Sequence, residues 1–160
     1  EGAFIGCDGL KGIMIPENVY QIDQYAFRGC TSLETVLIKG QLTSLGGMIF
    51  YDCTSLKIVE FAEGITRLTD RMFGNCVSLE TITLPASIKQ IDSKVFEGCT
   101  NLKTVYVKAT TPPEMSFLVF TDNKSQNLNC KIYVPVESVE EYKKASNWKT
   151  YADQIEGYNF

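Results

Sequence analysis

The sequence predicts an α/β repeat solenoid: a right-handed superhelix with one short strand and one short helical turn per 23-residue unit, closed by a C-terminal cap. Three observations predict it. Phe4, Phe27, Phe50, Phe73 and Phe96 recur at a constant step of 23 residues. Each is followed three residues later by Cys7, Cys30, Cys53, Cys76 or Cys99, and three further on by Leu10, Leu33, Leu56, Leu79 or Leu102. Self-similarity at such a period marks units that cannot bury a core alone and stack to bury a shared one.

Each stretch of the unit has a physical reading. Ile13/Ile15, Val36/Ile38, Val59/Phe61, Ile82/Leu84 and Val105/Val107 alternate with other residues, the period-two pattern of a strand with one buried face. Val19/Ile22, Leu42/Leu45, Ile65/Leu68 and Ile88/Ile91 close the units. The runs Asp23–Phe27 and Asp92–Phe96 read as single helical turns, opened by the N-cap types Asp23, Gly46, Thr69 and Asp92. Gly6, Gly29, Asp52, Asn75 and Gly98 precede the cysteines, and these types tolerate the left-handed conformation that ends such a turn.

The segments Ala26-Phe27-Arg28-Gly29-Cys30-Thr31-Ser32-Leu33 and Cys76-Val77-Ser78-Leu79-Glu80-Thr81-Ile82-Thr83-Leu84-Pro85 resemble the BspA-type leucine-rich repeat family. The resemblance covers residues 1–109 unit by unit and implies a leucine-rich-repeat-like fold. It also implies a surface-exposed or secreted protein of bacteria or some parasitic protists, associated with adhesion. Five units over 1–109, the first truncated, and a loop, last strand and helical cap over 110–160 then form one continuous domain. The chain opens in mid-unit at Glu1-Gly2-Ala3-Phe4 and reads as a piece of a longer protein.

After Val107 the phase breaks: Asp122 stands where the next cysteine is due. Thr111-Pro112-Pro113 and the polar stretch Asp122-Asn123-Lys124-Ser125-Gln126-Asn127 read as a long loop or modified unit, and Ile132-Tyr133-Val134-Pro135 as a last strand. Ser138-x-x-Glu141 has the form of a capping box opening a short helix through Val139, Tyr142 and Ala145. Trp148, Tyr151 and Ile155 supply a bulky closure for the exposed end.

Composition narrows function. There are 15 Lys+Arg against 19 Asp+Glu, a net charge of −4, and no histidine. That excludes imidazole chemistry and argues against a nucleic-acid partner, which takes a basic patch. No apolar run approaches the ~20 residues that span a bilayer, so no membrane insertion is expected. Five of the six cysteines fall on one ladder, where side chains point inward in parallel, so free inert thiols are expected rather than disulfides or zinc ligands. Cys130 aligns with Lys103 of the preceding unit, an outward position where a partly exposed thiol is expected. Asp23 and Asp92 lie three units apart, about 15 Å by strand spacing, too far for a glycosidase pair. The expectation is no enzyme, no cofactor and no metal site.

Two outward features remain. Lys11, Glu34, Lys57, Glu80 and Lys103 alternate in sign, a ladder that fixes repeat register through neighbour pairing. Gly12, Thr35, Ile58, Thr81 and Thr104 form one outward column; Met14, Leu37, Glu60, Thr83, Tyr106 and Tyr133 form the other. Met14, Leu37 and Ile58 are expected as an apolar cluster at one end, Tyr106 with Tyr133 as an aromatic pair at the other. With Glu60, these are the candidate contacts to a macromolecular partner, a protein or a glycan. The function expected is a non-enzymatic recognition or adhesion module. The alternative is a structural spacer, and a third reading makes Cys130 a catalytic nucleophile.

Overall fold

In the computed structural model, each alternating run becomes a short parallel strand, and a two-residue strand follows it in every unit. The structure describes residues 2–40, 42–122, 124 and 127–160; Glu1, Gln41 and, in the polar stretch, Asn123, Ser125 and Gln126 lie outside the described residues. In order the elements are β1 (Gly12–Ile15), β2 (Gln21–Ile22), β3 (Thr35–Ile38), β4 (Ser44–Leu45), β5 (Ile58–Phe61), β6 (Arg67–Leu68), β7 (Thr81–Leu84), β8 (Gln90–Ile91), β9 (Thr104–Val107), β10 (Glu114–Met115), β11 (Lys131–Pro135), α1 (Val139–Lys144) and β12 (Ile155–Tyr158). Short 3-10 turns cover Val136–Ser138 and Trp148–Gln154.

The longer strands pair in parallel and in constant register: Ile13 with Val36, Val36 with Val59, and Ile82 with Val105. They form two sheets, β1-β3-β5 and β12-β11-β9-β7, while the two-residue strands form β2-β4 and β10-β8-β6. The longer-strand row therefore breaks between β5 and β7. Phe61 sits at that break, where other units carry Ile15, Ile38, Leu84 or Val107, and packs edge-on against Phe73 at 6.1 Å and 80°.

The structure corrects the expected helical turn. Residues 23–29 and their equivalents form turns, not helix, because Tyr25, Met48, Arg71 and Lys94 adopt positive φ of 47° to 61°. A left-handed residue ends a right-handed helical run at once. The result is an alternation. Ala26 and Arg28 donate within the turn, to Asp23 and Tyr25 carbonyls, while Tyr25, Phe27 and Gly29 donate to Gly47, Ile49 and Tyr51 of the next coil. Met48, Phe50 and Asp52 repeat this toward Asp70, Met72 and Gly74. Backbone groups that a helix would satisfy internally tie one coil to the next instead. The expected N-caps change role accordingly: Thr69 Oγ1 donates to the Gly46 carbonyl at 2.6 Å, a bond between coils. A Cβ on Gly46 would lie 2.1 Å from the Gln24 nitrogen, so no larger residue fits there. Gly6, Gly29, Asp52, Asn75 and Gly98 do take positive φ, as their residue types permit.

The core is a set of files. Phe4, Phe27, Phe50, Phe73, Phe96 and Phe120 stack with centroids 5.1–5.8 Å apart and planes within 9°. Phe120 is 24 residues from Phe96 by number, so one inserted residue hides the sixth ring from a strict 23-residue search. With β10 beside β8 and Phe120 on the ring file, residues 114–120 continue the repeat contacts, while part of the polar stretch read as a long loop or modified unit lies outside the described residues. Each buried ring contributes about 1.5–3 kcal/mol through lost apolar surface, and each aromatic pair about 0.5–1.5 kcal/mol more.

Beyond it, α1 and the second 3-10 turn lie across the last coil. Tyr142 Oη donates to the Ala109 carbonyl at 2.7 Å and Trp148 Nε1 to the Pro113 carbonyl at 2.8 Å. Tyr151 meets Phe120 edge-on at 5.3 Å. Trp148, Tyr151 and Ile155 are buried. The capping box does not form. Ser138 ends a 3-10 turn that runs straight into α1, so its backbone is already right-handed and makes no side-chain cap bond. An N-cap side chain reaches the helix amides from extended backbone, which Ser138 lacks.

Candidate functional site

The outward columns fall where the alternation puts them. Gly12 pairs with Thr35 and Thr35 with Ile58; Met14 pairs with Leu37 and Leu37 with Glu60. Across the break, Thr83 pairs with Tyr106 and Tyr106 with Tyr133. Met14 and Ile58 are 54% and 49% exposed, whereas Leu37 is half-buried between its neighbours. Met14 and Leu37 are thus adjacent, with Ile58 diagonal to Leu37, and Glu60 is exposed one strand beyond.

Tyr106 and Tyr133 stack at 5.2 Å and 20°. They are half-buried because β12 and the residues after it add two rings that sequence reasoning missed. Tyr158 meets Tyr106 at 5.1 Å and Tyr133 at 5.7 Å, and Phe160 meets Tyr106 edge-on at 6.2 Å. Glu156, Tyr158 and Phe160 alternate out of phase with buried Ile155, which was the available signal. Gly157 and Asn159 have low strand propensity and masked it. A groove of about 320 Å³ lies beside these rings, lined by Thr83, Tyr106, Lys108, Tyr158 and Phe160.

The charge column pairs two by two. Lys57 meets Glu34 at 3.0 Å and Lys103 meets Glu80 at 2.8 Å, each pair within one sheet. The Lys57 ammonium hydrogen-bonds Glu34 and holds its carboxyl below the ordinary value. Lys131 pairs with Glu156, which pushes the lysine up. On the turn side, Arg28 lies 5.6 Å from the centroids of both the Tyr25 and Tyr51 rings. A larger apolar concavity, lined by Phe4, Ile13, Ile15, Ile22 and Phe27 among others, is the exposed core face of the first coil.

The cysteine file is a hydrogen-bond file. Cys30, Cys53, Cys76 and Cys99 thiols donate to the Phe4, Phe27, Phe50 and Phe73 carbonyls at 3.1–3.3 Å, each 26 residues earlier. A small, weakly donating side chain fits that spot. Burial pushes the Cys53 and Cys99 thiols up to about 12 and Cys76 well above its ordinary value. The expected partial exposure of Cys130 is corrected: it is 1% exposed, and burial raises it to about 11. Strand β11 keeps the register of β9, with Lys131 opposite Thr104, so Cys130 falls at the position that Lys103 occupies in the open, yet it is buried. A thiol so buried is a poor nucleophile.

Among the described residues, no group of three or more His, Cys, Asp and Glu could hold a metal ion. No helix among them is long and apolar enough to cross a membrane. What the geometry offers is an ordered outward strand face on a stack of parallel coils.

The profile of the BspA type leucine rich repeat region matches in six copies over residues 1–127, and the chain belongs to this family. No curated protein matches it. Among solved structures it is similar to a leucine rich cell surface protein from Faecalibacterium prausnitzii, at 26% identity and TM-score 0.60, over 94% of this chain and 32% of that one. It is also similar to the T. pallidum leucine rich repeat protein, at 33% identity and TM-score 0.61, over 65% of this chain and 49% of that one. A leucine-rich repeat protein from Bacteroides ovatus shares the fold at 22% identity and TM-score 0.59, over 94% of this chain and 43% of that one. The chain thus spans a third to a half of the length of these neighbours.

Proposed function

We propose that this chain is a non-enzymatic recognition module of a cell-surface protein, a right-handed solenoid whose C-terminal segment acts as its cap. Its outward strand face meets a macromolecular partner. The observation that carries the reading is the row Met14–Leu37–Glu60 and its counterpart Thr83–Tyr106–Tyr133, exposed or half-buried side chains held at strand spacing on a rigid stack. Apolar and aromatic groups presented this way supply contact energy to a partner without a concave active site. The surface location draws on the family and on the F. prausnitzii neighbour, a leucine rich cell surface protein.

The spacer reading draws on a different observation, the mutual pairing of Glu34 with Lys57 and Glu80 with Lys103, which leaves that column little net field for a ligand. One experiment separates the two. The purified chain and a variant carrying Met14→Ser, Leu37→Ser, Tyr106→Ser and Tyr133→Ser are applied to an array of extracellular-matrix proteins and glycans. The module reading expects binding by the first and loss of at least tenfold by the second. No binding by either sinks it and leaves the spacer.

A further inference from the structure

We infer that the groove between Thr83 and the aromatic cluster is a subsite for an acidic sugar ring. The inference rests on the recognition reading and names the partner for one end of the face. Tyr106 is stacked on Tyr133 through one ring face. Its other face looks along the sheet toward Thr83, its register partner on β7, and threonine is too short to cover a phenol. Tyr158 and Phe160 stand edge-on to Tyr106 and wall the space. The opening is about 320 Å³, at the small end of ligand pockets, with room for one ring.

The lining chemistry selects the occupant. A pyranose presents a face of C–H bonds that packs on the negative face of an aromatic ring, and an edge of hydroxyls that needs donors and acceptors. Tyr106 offers the face; the Thr83 hydroxyl and the phenol of Tyr158 offer the polar contacts. Lys108 adds a charge. Lys57, Lys103 and Lys131 on this strand face are engaged by Glu34, Glu80 and Glu156. Lys108, which lines the groove, makes no ion pair among the described residues. An uncommitted ammonium beside an aromatic face complements a carboxylate on the sugar. A proline-rich peptide needs a longer groove with several open aromatic faces. Here the opening has room for one ring, and one face of Tyr106 is already taken by Tyr133.

The test is a titration of isotope-labelled protein with tetragalacturonate, with its fully methyl-esterified form, and with a decaproline peptide, followed by amide chemical shifts. Saturable shifts at Thr83, Tyr106 and Lys108 are expected with the acid, with affinity at least fivefold weaker for the ester. Lys108→Met should reduce acid affinity about fivefold and remove the preference. Tyr106→Leu should reduce both about tenfold, and Thr83→Glu, which leaves the aromatic cluster intact, should block the acid. No saturable shift with the acid, equal affinity for acid and ester, or a stronger response to the peptide overturns the subsite. Matrix-protein binding that is lost with Met14→Ser and Leu37→Ser, in the absence of any sugar response, would overturn this inference and leave the recognition module standing.

Discussion

From Phe27 to Phe96 many groups find partners in a neighbouring coil at a recurring offset, whereas the side chains of α1 and the segment after it make bonds that occur once each. In the first region a thiol donates to a carbonyl 26 residues earlier, four times over. In the second, Tyr142, Asn147, Trp148 and Gln154 donate to the carbonyls of Ala109, Met115, Pro113 and Leu128, bonds that occur once each. The lesson concerns where specificity is stored. Repeats spread stability over interchangeable contacts, each replaceable by its neighbour's design. Past Ala109 the 23-residue pattern is interrupted, and backbone carbonyls there are satisfied by side chains chosen individually.

The largest effect tests the interchangeability. Phe50→Ala, Phe73→Ala and Phe96→Ala each remove a fully buried ring with two stacked neighbours. Each should cost about 3–5 kcal/mol in urea unfolding, and the three values should agree within roughly 1 kcal/mol. A wider spread would mean that the coils are not equivalent despite their shared register, with Phe73, which also meets Phe61 edge-on, the first suspect.

The same contrast explains what can be read before any coordinates. The strands, the outward columns and the left-handed residues before each cysteine are legible because five copies average out the accidents of any one. The helical turn misleads because Tyr25, Met48, Arg71 and Lys94 carry no hint of positive φ in their side chains. That conformation is imposed by the bonds to the next coil, a tertiary cause that propensity cannot register. The sixth ring and Tyr158 with Phe160 escape for opposite reasons, one through a single inserted residue and the other through poor strand formers around good contact residues. Cys130 is legible in register and not in exposure, since the equivalent Lys103 is exposed while Cys130 is buried.

A second break is chemical. The ladder thiols are held protonated in the folded chain, with Cys53 and Cys99 pushed from an ordinary value near 9 to about 12. Above pH 9 the unfolded chain releases these protons and the folded chain keeps them, so unfolding becomes easier as pH rises. The stabilisation is complete below pH 9 and is lost progressively toward pH 12. Each such thiol should cost about 1.4 kcal/mol per pH unit in that window. Denaturation between pH 8 and about 9.5 should show this slope, and Cys53→Ala with Cys99→Ala should reduce it, Cys76 and Cys130 supplying part of what remains. An unchanged slope in the double variant would assign the alkaline loss elsewhere.

On the particular side of the comparison, Trp148→Phe keeps an aromatic ring against Tyr142 but removes the indole N–H that satisfies the Pro113 carbonyl. A buried acceptor left unpaired costs about 1–3 kcal/mol. The loss should be confined to the C-terminal end, so hydrogen exchange should quicken at Tyr142 and Tyr151 before it quickens at Phe50. Uniform quickening would show the two regions unfolding as one unit.

The smallest effect bears on whether the charge column belongs to the repeat logic at all. Lys57 and Glu34 are about half exposed, so removing the lysine charge by Lys57→Met should leave the urea midpoint nearly unchanged. Reversing it is more telling. Lys57→Glu places a carboxylate beside Glu34 on the paired strand and next to Glu80 across the break between β5 and β7, and like charges opposite one another on neighbouring strands repel. Glu34→Lys combined with Lys57→Glu restores the pair within its own sheet. It also sets the new ammonium beside Lys11 and the new carboxylate beside Glu80, a like-charge contact on either side of the exchanged pair. If the column acts only through the exchanged pair itself, the double variant recovers the wild-type stability measured at low salt. If the alternation is read along all five coils, it recovers about half, and added salt erases the difference.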